Sequence, residues 1–139
     1  AWLLTRGLRT LELRLNRHES TANTIAEWLE QRPEVEQVNH VSLSSFPQHD
    51  LYAKYLRGSG GLFSFVPKTQ EPAKLKAFCD RLKIFGRGVS WGGFESLALP
   101  LATTALGTPE NHWVIRLYCG LEEPVDLILD IEQALVELE

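Results

Sequence analysis

The longest regular pattern in the sequence is an apolar stripe near the N-terminus. Its members recur at alternating spacings of four and three residues: Leu4, Leu8, Leu11, Leu15, His18, Ala22, Ile25 and Leu29. That spacing places them on one face of an α-helix. No proline interrupts the pattern before Pro33, and Gly7 is the only internal residue that weakens a helix. We therefore predict one long helix over residues 3–30, with a break near Asn16 or Ser20 as the alternative.

A helix of this length is large compared with the chain. It would be about 42 Å long, whereas a compact domain of 139 residues is somewhat under about 40 Å across. The chain also contains no methionine, so Ala1 is not an initiator residue. We expect the sequence to be cut from a longer protein.

The composition is that of one soluble domain. Hydrophobic residues make up 44% and charged residues 23%, both near the globular average. The net charge of −4 argues against a nucleic-acid partner, because proteins that bind nucleic acids usually carry an excess of basic residues. No apolar run approaches the roughly 18–20 residues of a membrane helix, and we do not expect residues 1–10 to be a secretory signal, because their apolar stretch ends at Leu4. We expect a cytoplasmic protein in which Cys79 and Cys119 stay reduced.

The remainder of the chain mixes strands and helices. Strands are predicted over residues 35–41, 62–66 and 114–119, with a weaker candidate at 83–85. Helices are predicted over residues 50–57, from Pro72 to Leu82, and from Pro124 onward. Residues 97–109 are weakly patterned and are predicted to be a loop. The pattern indicates an α+β, two-layer fold: a small mixed, largely antiparallel sheet with helices packed on it, preceded by the long N-terminal helix.

Several common kinds of site are excluded by spacing. The four histidines (His18, His40, His49 and His112) have no spacing that suits a metal ion. The glycine-rich residues 58–61 precede a strand and lack a following Lys-Ser or Lys-Thr, so a tight turn is favoured over a phosphate cradle. Neither cysteine lies in a nucleophile motif.

Two features remain as candidates for binding. Trp91 is followed by Gly92 and Gly93, and glycines let a backbone approach a ligand closely while the indole forms a wall; the alternative is a buried tryptophan at a sharp bend. Arg116 lies inside an apolar strand, where a cation needs an anionic partner. That partner is either a carboxylate of the protein or the carboxylate of a ligand, which suits a planar guanidinium.

Four segments resemble the C-terminal domain of the Cys/Met-metabolism family of pyridoxal-phosphate enzymes. They are residues 6–11, 58–65, 90–97 and 115–123, and they occur in the family's order. The Ser-Trp-Gly-Gly sequence, followed by an aromatic residue and Glu-Ser, is similar to the cystathionine β-lyase branch. Relatives that act at the γ-carbon usually carry leucine in place of Trp91.

The resemblance implies both an architecture and a reaction. Residues 1–139 would form the C-terminal small domain of a fold-type I enzyme, with residues 1–31 as the interdomain helix. The reaction would be α,β-elimination of cystathionine or a cysteine S-conjugate to a thiol, pyruvate and ammonia, in transsulfuration and methionine biosynthesis. Arg116 would hold the substrate α-carboxylate, Ser90 would lie beside it, and Trp91 would line the pocket.

The resemblance also implies partners that this chain lacks. The family's cofactor-binding residues, including the lysine that binds pyridoxal 5′-phosphate, lie in an N-terminal domain that is absent here. The five lysines, Lys54, Lys68, Lys74, Lys76 and Lys83, match no such motif. We therefore expect no catalytic residue in this chain, no activity of the chain alone, and a homotetramer in the full-length enzyme. The alternatives are a γ-synthase, γ-lyase or sulfhydrylase domain of the same family, or a non-catalytic module that binds a carboxylate or a partner protein.

Overall fold

The computed structural model describes residues 1–103 and 112–139. The helices are α1 (Trp2–Leu8), α2 (Leu11–Leu29), α3 (His49–Tyr55), α4 (Pro72–Arg81) and α5 (Pro124–Leu135), which continues into a 3₁₀ turn at Val136–Leu138. The strands are β1 (Val35–Asn39), β2 (Leu62–Pro67), β3 (Gly86–Arg87), β4 (Leu97–Thr103) and β5 (His112–Tyr118). Within the described residues, every helix is too short or too polar to cross a bilayer.

The five strands form one sheet in the order β1-β2-β5-β4-β3. All neighbours are antiparallel except β3 and β4, which are parallel. Side chains alternate between the two faces of a strand, and on β5 the alternation sends Ile115 and Leu117 into the core with α2, α4 and α5. Arg116, between them, points to the opposite face. The predicted two-layer, largely antiparallel fold is confirmed.

The long N-terminal helix is broken in the structure. The chain turns at Arg9 and Thr10, and Thr10 has a non-helical backbone (φ −111°, ψ 9°). No residue of α1 is buried, so no core packing compensates for the weak helix propensity of Gly7 and Thr10. The prediction of one continuous helix over residues 3–30 is therefore wrong, and so is the alternative break, because α2 runs unbroken through Asn16 and Ser20.

Two other predictions are corrected by the sheet. Residues 97–103, predicted as loop, form β4 and pair with β5 along their whole length; residues 104–109 of that prediction lie outside the described part. The pairing with β3 covers only Leu97 and Ala98. Among the described residues Pro100 pairs with β5 alone, and a strand edge of this kind tolerates a proline. Residues 83–85 are not a strand, because all three of their backbone N–H groups donate to the carboxylate of Asp130 at 2.8–3.1 Å.

Candidate functional site

Arg116 lies in the middle of the sheet, on the face away from the helices. Its neighbours across the strands are Ser64 on β2 and Leu99 on β4. Its Nη2 donates to the carbonyl oxygens of Val89 at 2.9 Å and Ser90 at 3.3 Å, and its Nη1 is 3.5 Å from that of Gly88. No carboxylate within residues 1–103 or 112–139 forms an ion pair with it. The sequence left two partners open for Arg116, a carboxylate of the protein and the carboxylate of a ligand. The described part of the chain provides no carboxylate of the protein for this role.

The segment that Arg116 contacts, residues 88–94, is called here the Trp91 loop. Its backbone carbonyls face the protein: besides the three bound by Arg116, that of Gly92 accepts from Arg14 Nη1 at 3.2 Å and that of Gly93 accepts from the Tyr118 hydroxyl at 3.0 Å. Its large apolar side chains face outward, with exposed fractions of 67–71%: Val89, Trp91 and Phe94. The alternative of a buried tryptophan is therefore wrong.

A groove of about 510 Å³ runs between α2 and the Trp91 loop. Trp91 lines it together with three leucines and a few polar side chains: Leu11, Leu15, Leu62, Arg14, His18 and Tyr118. A mostly apolar wall with a few polar groups is typical of a site for a small molecule. Arg116 is not part of this wall and reaches the Trp91 loop from the sheet. Ser90, whose carbonyl it binds, directly precedes the tryptophan, so the loop connects the cation to the groove.

His18 and Tyr118 anchor the loop as a neutral pair. His18 is 2% exposed, and both of its ring nitrogens lie 3.1–3.2 Å from the Tyr118 hydroxyl. Burial lowers the pKa of His18, and the nearby charge of Arg14 lowers it further. Burial also raises the pKa of Tyr118, so the hydroxyl stays protonated and donates to Gly93. The sequence placed His18 in the apolar stripe of the predicted helix, but carries no signal for its partner a hundred residues away.

The C-terminal side of the loop is fixed by Glu122. Its carboxylate accepts from the backbone N–H of Ser96 at 3.0 Å and from the Ser96 hydroxyl at 2.7 Å. The same hydroxyl oxygen accepts from the N–H of Gly120 at 2.8 Å. Gly120 approaches so closely that a Cβ built on it would lie 2.2 Å from the carbonyl oxygen of Phe94. These contacts were not predicted, because Ser96 and Glu122 are ordinary polar residues in the sequence.

The lysines do not fit the covalent attachment of pyridoxal phosphate. None of the five lines the groove or contacts Arg116. Lys74 donates to the carbonyl of Glu139, and Lys54 lies over the ring of Tyr55. The described residues also bring together no three side chains that would hold a metal ion. The site as built can thus orient a carboxylate and an apolar group, but supplies no attachment for the cofactor.

The chain is similar to known proteins along nearly its whole length. The model of the Cys/Met metabolism PLP-dependent enzymes matches residues 1–136. A Rhizobium johnstonii protein, named provisionally as a cystathionine beta-lyase, is 48% identical over 96% of this chain and 35% of its own length. The L-alanine/L-glutamate racemase of Wolbachia pipientis is 39% identical over 99% of this chain and 36% of its own.

A solved structure is similarly close. The cystathionine gamma synthase of Xanthomonas oryzae pv. oryzae, solved in complex with aminoacrylate and cysteine, superposes with a TM-score of 0.82 at 32% identity. The match covers 96% of this chain and 36% of the synthase. Such neighbours are fold-type I enzymes, which confirms the predicted fold class.

The chain spans about a third of the length of the curated relatives it matches, and it corresponds to their C-terminal part. The family model covers nearly all of it, including the Trp91 loop and Arg116. The chain therefore belongs to the Cys/Met-metabolism family of pyridoxal-phosphate-dependent enzymes.

Proposed function

We propose that this chain is the C-terminal, substrate-orienting domain of a pyridoxal-phosphate-dependent carbon–sulfur β-lyase of the cystathionine β-lyase kind. The substrate would be a small amino-acid thioether, cleaved to a thiol, pyruvate and ammonia. The observation that carries the proposal is the arrangement at the Trp91 loop. A half-buried cation, Arg116, is held by carbonyl oxygens alone in the described residues, and the adjoining Trp91 is exposed over an apolar groove.

Arg116 is suited to bind the α-carboxylate of an amino acid. The carbonyls of Val89 and Ser90 fix the guanidinium through one nitrogen, and no carboxylate among the described residues forms an ion pair with it. A carboxylate binds a guanidinium through two parallel hydrogen bonds, which fixes its orientation as well as its position. We assign Arg116 to this role, place Ser90 beside the bound carboxylate, and assign Trp91 to the wall that contacts the substrate side chain.

The cofactor belongs to a different part of the enzyme in this proposal. Pyridoxal phosphate acts as an electron sink in reactions of this class. Because none of the lysines fits its attachment, we assign it to a preceding N-terminal domain and give this chain no step in bond cleavage. Residues 1–31 would then connect the two domains. The homotetramer implied by the family resemblance and the cytoplasmic location expected from the composition stay predictions.

One relative favours a second candidate function. The racemase of Wolbachia pipientis matches nearly the whole chain, and racemisation needs the α-carboxylate held without cleavage of a carbon–sulfur bond. The assignment of Arg116 serves either reaction. The β-lyase branch is favoured by the Ser-Trp-Gly-Gly sequence, which resembles the corresponding sequence of the cystathionine β-lyases.

The deciding experiment uses the full-length enzyme with cystathionine and, separately, with L-alanine. A β-lyase gives homocysteine and pyruvate, whereas a γ-lyase gives cysteine and 2-oxobutyrate, so the keto acid identifies the bond that is cleaved. A chiral assay of alanine reports racemisation in parallel. Pyruvate as the main keto acid supports the proposal. Accumulation of 2-oxobutyrate, or of D-alanine without any thiol, would contradict it.

A further inference from the structure

Arg14 on α2 joins three parts of the chain. Its Nη2 donates to the carbonyl oxygen of Gly7 at 2.9 Å, and its Nη1 donates to that of Gly92 at 3.2 Å. Its Nε lies 3.4 Å from the hydroxyl oxygen of Thr10. Gly7 belongs to the last turn of α1, Thr10 lies at the break between α1 and α2, and Gly92 directly follows Trp91. One guanidinium therefore connects the helix break to the Trp91 loop.

The contact at Gly92 matters because Gly92 and Gly93 have open space where a side chain would lie. A Cβ built on Gly92 or on Gly93 would meet no atom within 4 Å. Gly92 also has a φ of +84°. Glycine adopts this backbone conformation freely because it has no side chain. The hydrogen bonds from Arg14 and Tyr118 thus hold the backbone carbonyls of Gly92 and Gly93, two residues that have no side chain to pack.

The position of Arg14 also relates it to the groove. Arg14 lines the groove together with Trp91, and it takes part in no ion pair among the described residues. Its hydrogen bonds are therefore to backbone carbonyls and the Thr10 hydroxyl. A change at Arg14 would free the Gly92 carbonyl, next to Trp91, while Tyr118 still holds Gly93 and Arg116 still holds the N-terminal side of the loop.

We infer that Arg14 is a positioning residue for the proposed reaction: by holding Gly92 against the α1–α2 break, it sets the place of the Trp91 indole over the groove. The catalytic consequence rests on the proposed function, because it requires Trp91 to contact the substrate. The placement of the indole does not rest on the proposed function, because it follows from the contacts within this chain. Arg14 acts through Trp91 and has no direct step in the reaction.

The test compares Arg14→Gln and Arg14→Lys with Arg17→Gln in the full-length holoenzyme. Arg17 is the matched control, because it lies one turn further on the same helix and contacts the carbonyl of Glu122 and the carboxylate of Glu123 instead of the Trp91 loop. The enzyme is labelled with 5-fluorotryptophan, and the Trp91 signal is assigned by its loss in Trp91→Phe. KM and kcat are measured on the same preparations.

We expect Arg14→Gln to shift the fluorine resonance of Trp91 and to raise KM by roughly tenfold, the effect of losing a charged hydrogen bond, with a much smaller change in kcat. Arg14→Lys should give an intermediate shift, because lysine keeps the charge but cannot bind two carbonyls in the fixed geometry of a guanidinium. This variant also provides the test if Arg14→Gln does not fold. In a Trp91→Phe background the added effect of Arg14→Gln on KM should vanish, since the two residues act through one another.

The outcomes separate this inference from the proposed function. An unchanged Trp91 resonance in Arg14→Gln, or fully additive effects of the two substitutions on KM, would overturn the inference even in an active β-lyase. Loss of cofactor absorbance and of kcat with KM unchanged would do the same, because it would show a purely structural role. A shifted Trp91 resonance in an enzyme without lyase activity would leave the inference standing and remove the proposed function.

Discussion

The Nη2 atom of Arg116 lies 2.9 Å from the carbonyl oxygen of Val89. This hydrogen bond connects the middle of β5 to a loop 27 residues earlier in the chain, and it holds the guanidinium in one orientation before any ligand arrives. A cation that is already oriented loses less conformational freedom when it binds a carboxylate. The loop in turn presents Trp91 outward, so the ion site and the apolar wall are set by the same short segment.

Replacement of Arg116 by lysine tests the carboxylate site. In the full-length enzyme, Arg116→Lys should lower kcat/KM by about 10- to 150-fold, the worth of a charged hydrogen bond of roughly 1.5–3 kcal/mol. Cofactor absorbance should stay normal, because the substitution keeps the positive charge. Arg87→Lys is the matched control, since Arg87 pairs with Asp80 at the surface. Near-normal kinetics with a lowered melting temperature would move Arg116 to a structural role.

Gly120 offers a test of the contacts behind the Trp91 loop. Gly120→Ala should lower the free energy of unfolding by about 1–3 kcal/mol, the usual cost of overpacking, because its Cβ would lie 2.2 Å from the Phe94 carbonyl oxygen. Gly93→Ala is the control, since a Cβ there meets nothing within 4 Å; its effect should stay within about 0.5 kcal/mol. Denaturant unfolding of both variants measures the difference. Equal stabilities would show that the Phe94 backbone moves away at little cost.

The sequence predicts most of the helices and strands and singles out Arg116 and Trp91 as candidates. Arg116 is a candidate because a cation in an apolar strand needs an anionic partner; the residues alone leave that partner open, and the family resemblance implies a substrate carboxylate. Its contacts with Val89 and Ser90 were not predictable, because they depend on how a distant loop folds back. The role of Arg14 was not predictable for the same reason. In the sequence it is one more charged residue on an amphipathic helix, and only its contact with Gly92 distinguishes it.

The errors in secondary structure have a similar cause. Residues 83–85 carry a short apolar pattern that fits a strand, but the buried carboxylate of Asp130 accepts their N–H groups and replaces a strand partner. The helix break at Thr10 follows from the absence of buried residues in α1. In both cases a tertiary contact, or the lack of one, decides between conformations that the local sequence permits.

Two buried histidines predict how stability depends on pH. Burial lowers the pKa of His18 and of His40 below the ordinary 6.5; Arg14 adds to this at His18, while the carboxylates of Glu122 at His18 and Glu19 at His40 act in the opposite direction. The unfolded chain therefore binds more protons than the folded one as the pH falls below about 6.5. Their contribution to stability is complete above that pH and declines below it.

The measurement compares the free energy of unfolding at pH 7.5 and pH 5.5 for the unmodified chain and His18→Gln. The variant removes one titrating group while an amide keeps a hydrogen-bonding group near Tyr118. Its loss of stability between the two pH values should be smaller than that of the unmodified chain. An equal or greater loss would show that His18 binds its proton as readily in the folded state as in the unfolded one.

The two cysteines are expected to be chemically inert in the folded protein. Cys79 is 3% exposed and Cys119 is fully buried, and both are free. Burial raises the pKa of Cys79 to about 12 and also raises the pKa of Cys119, so neither thiol forms the reactive thiolate at pH 8. A chromogenic disulfide reagent should therefore leave both unmodified in native buffer and titrate both after unfolding in guanidinium. Ser44→Cys, which places a thiol at an exposed position, is the control and should react without denaturant. Reaction of either native thiol as fast as this control would show that the core around it opens readily.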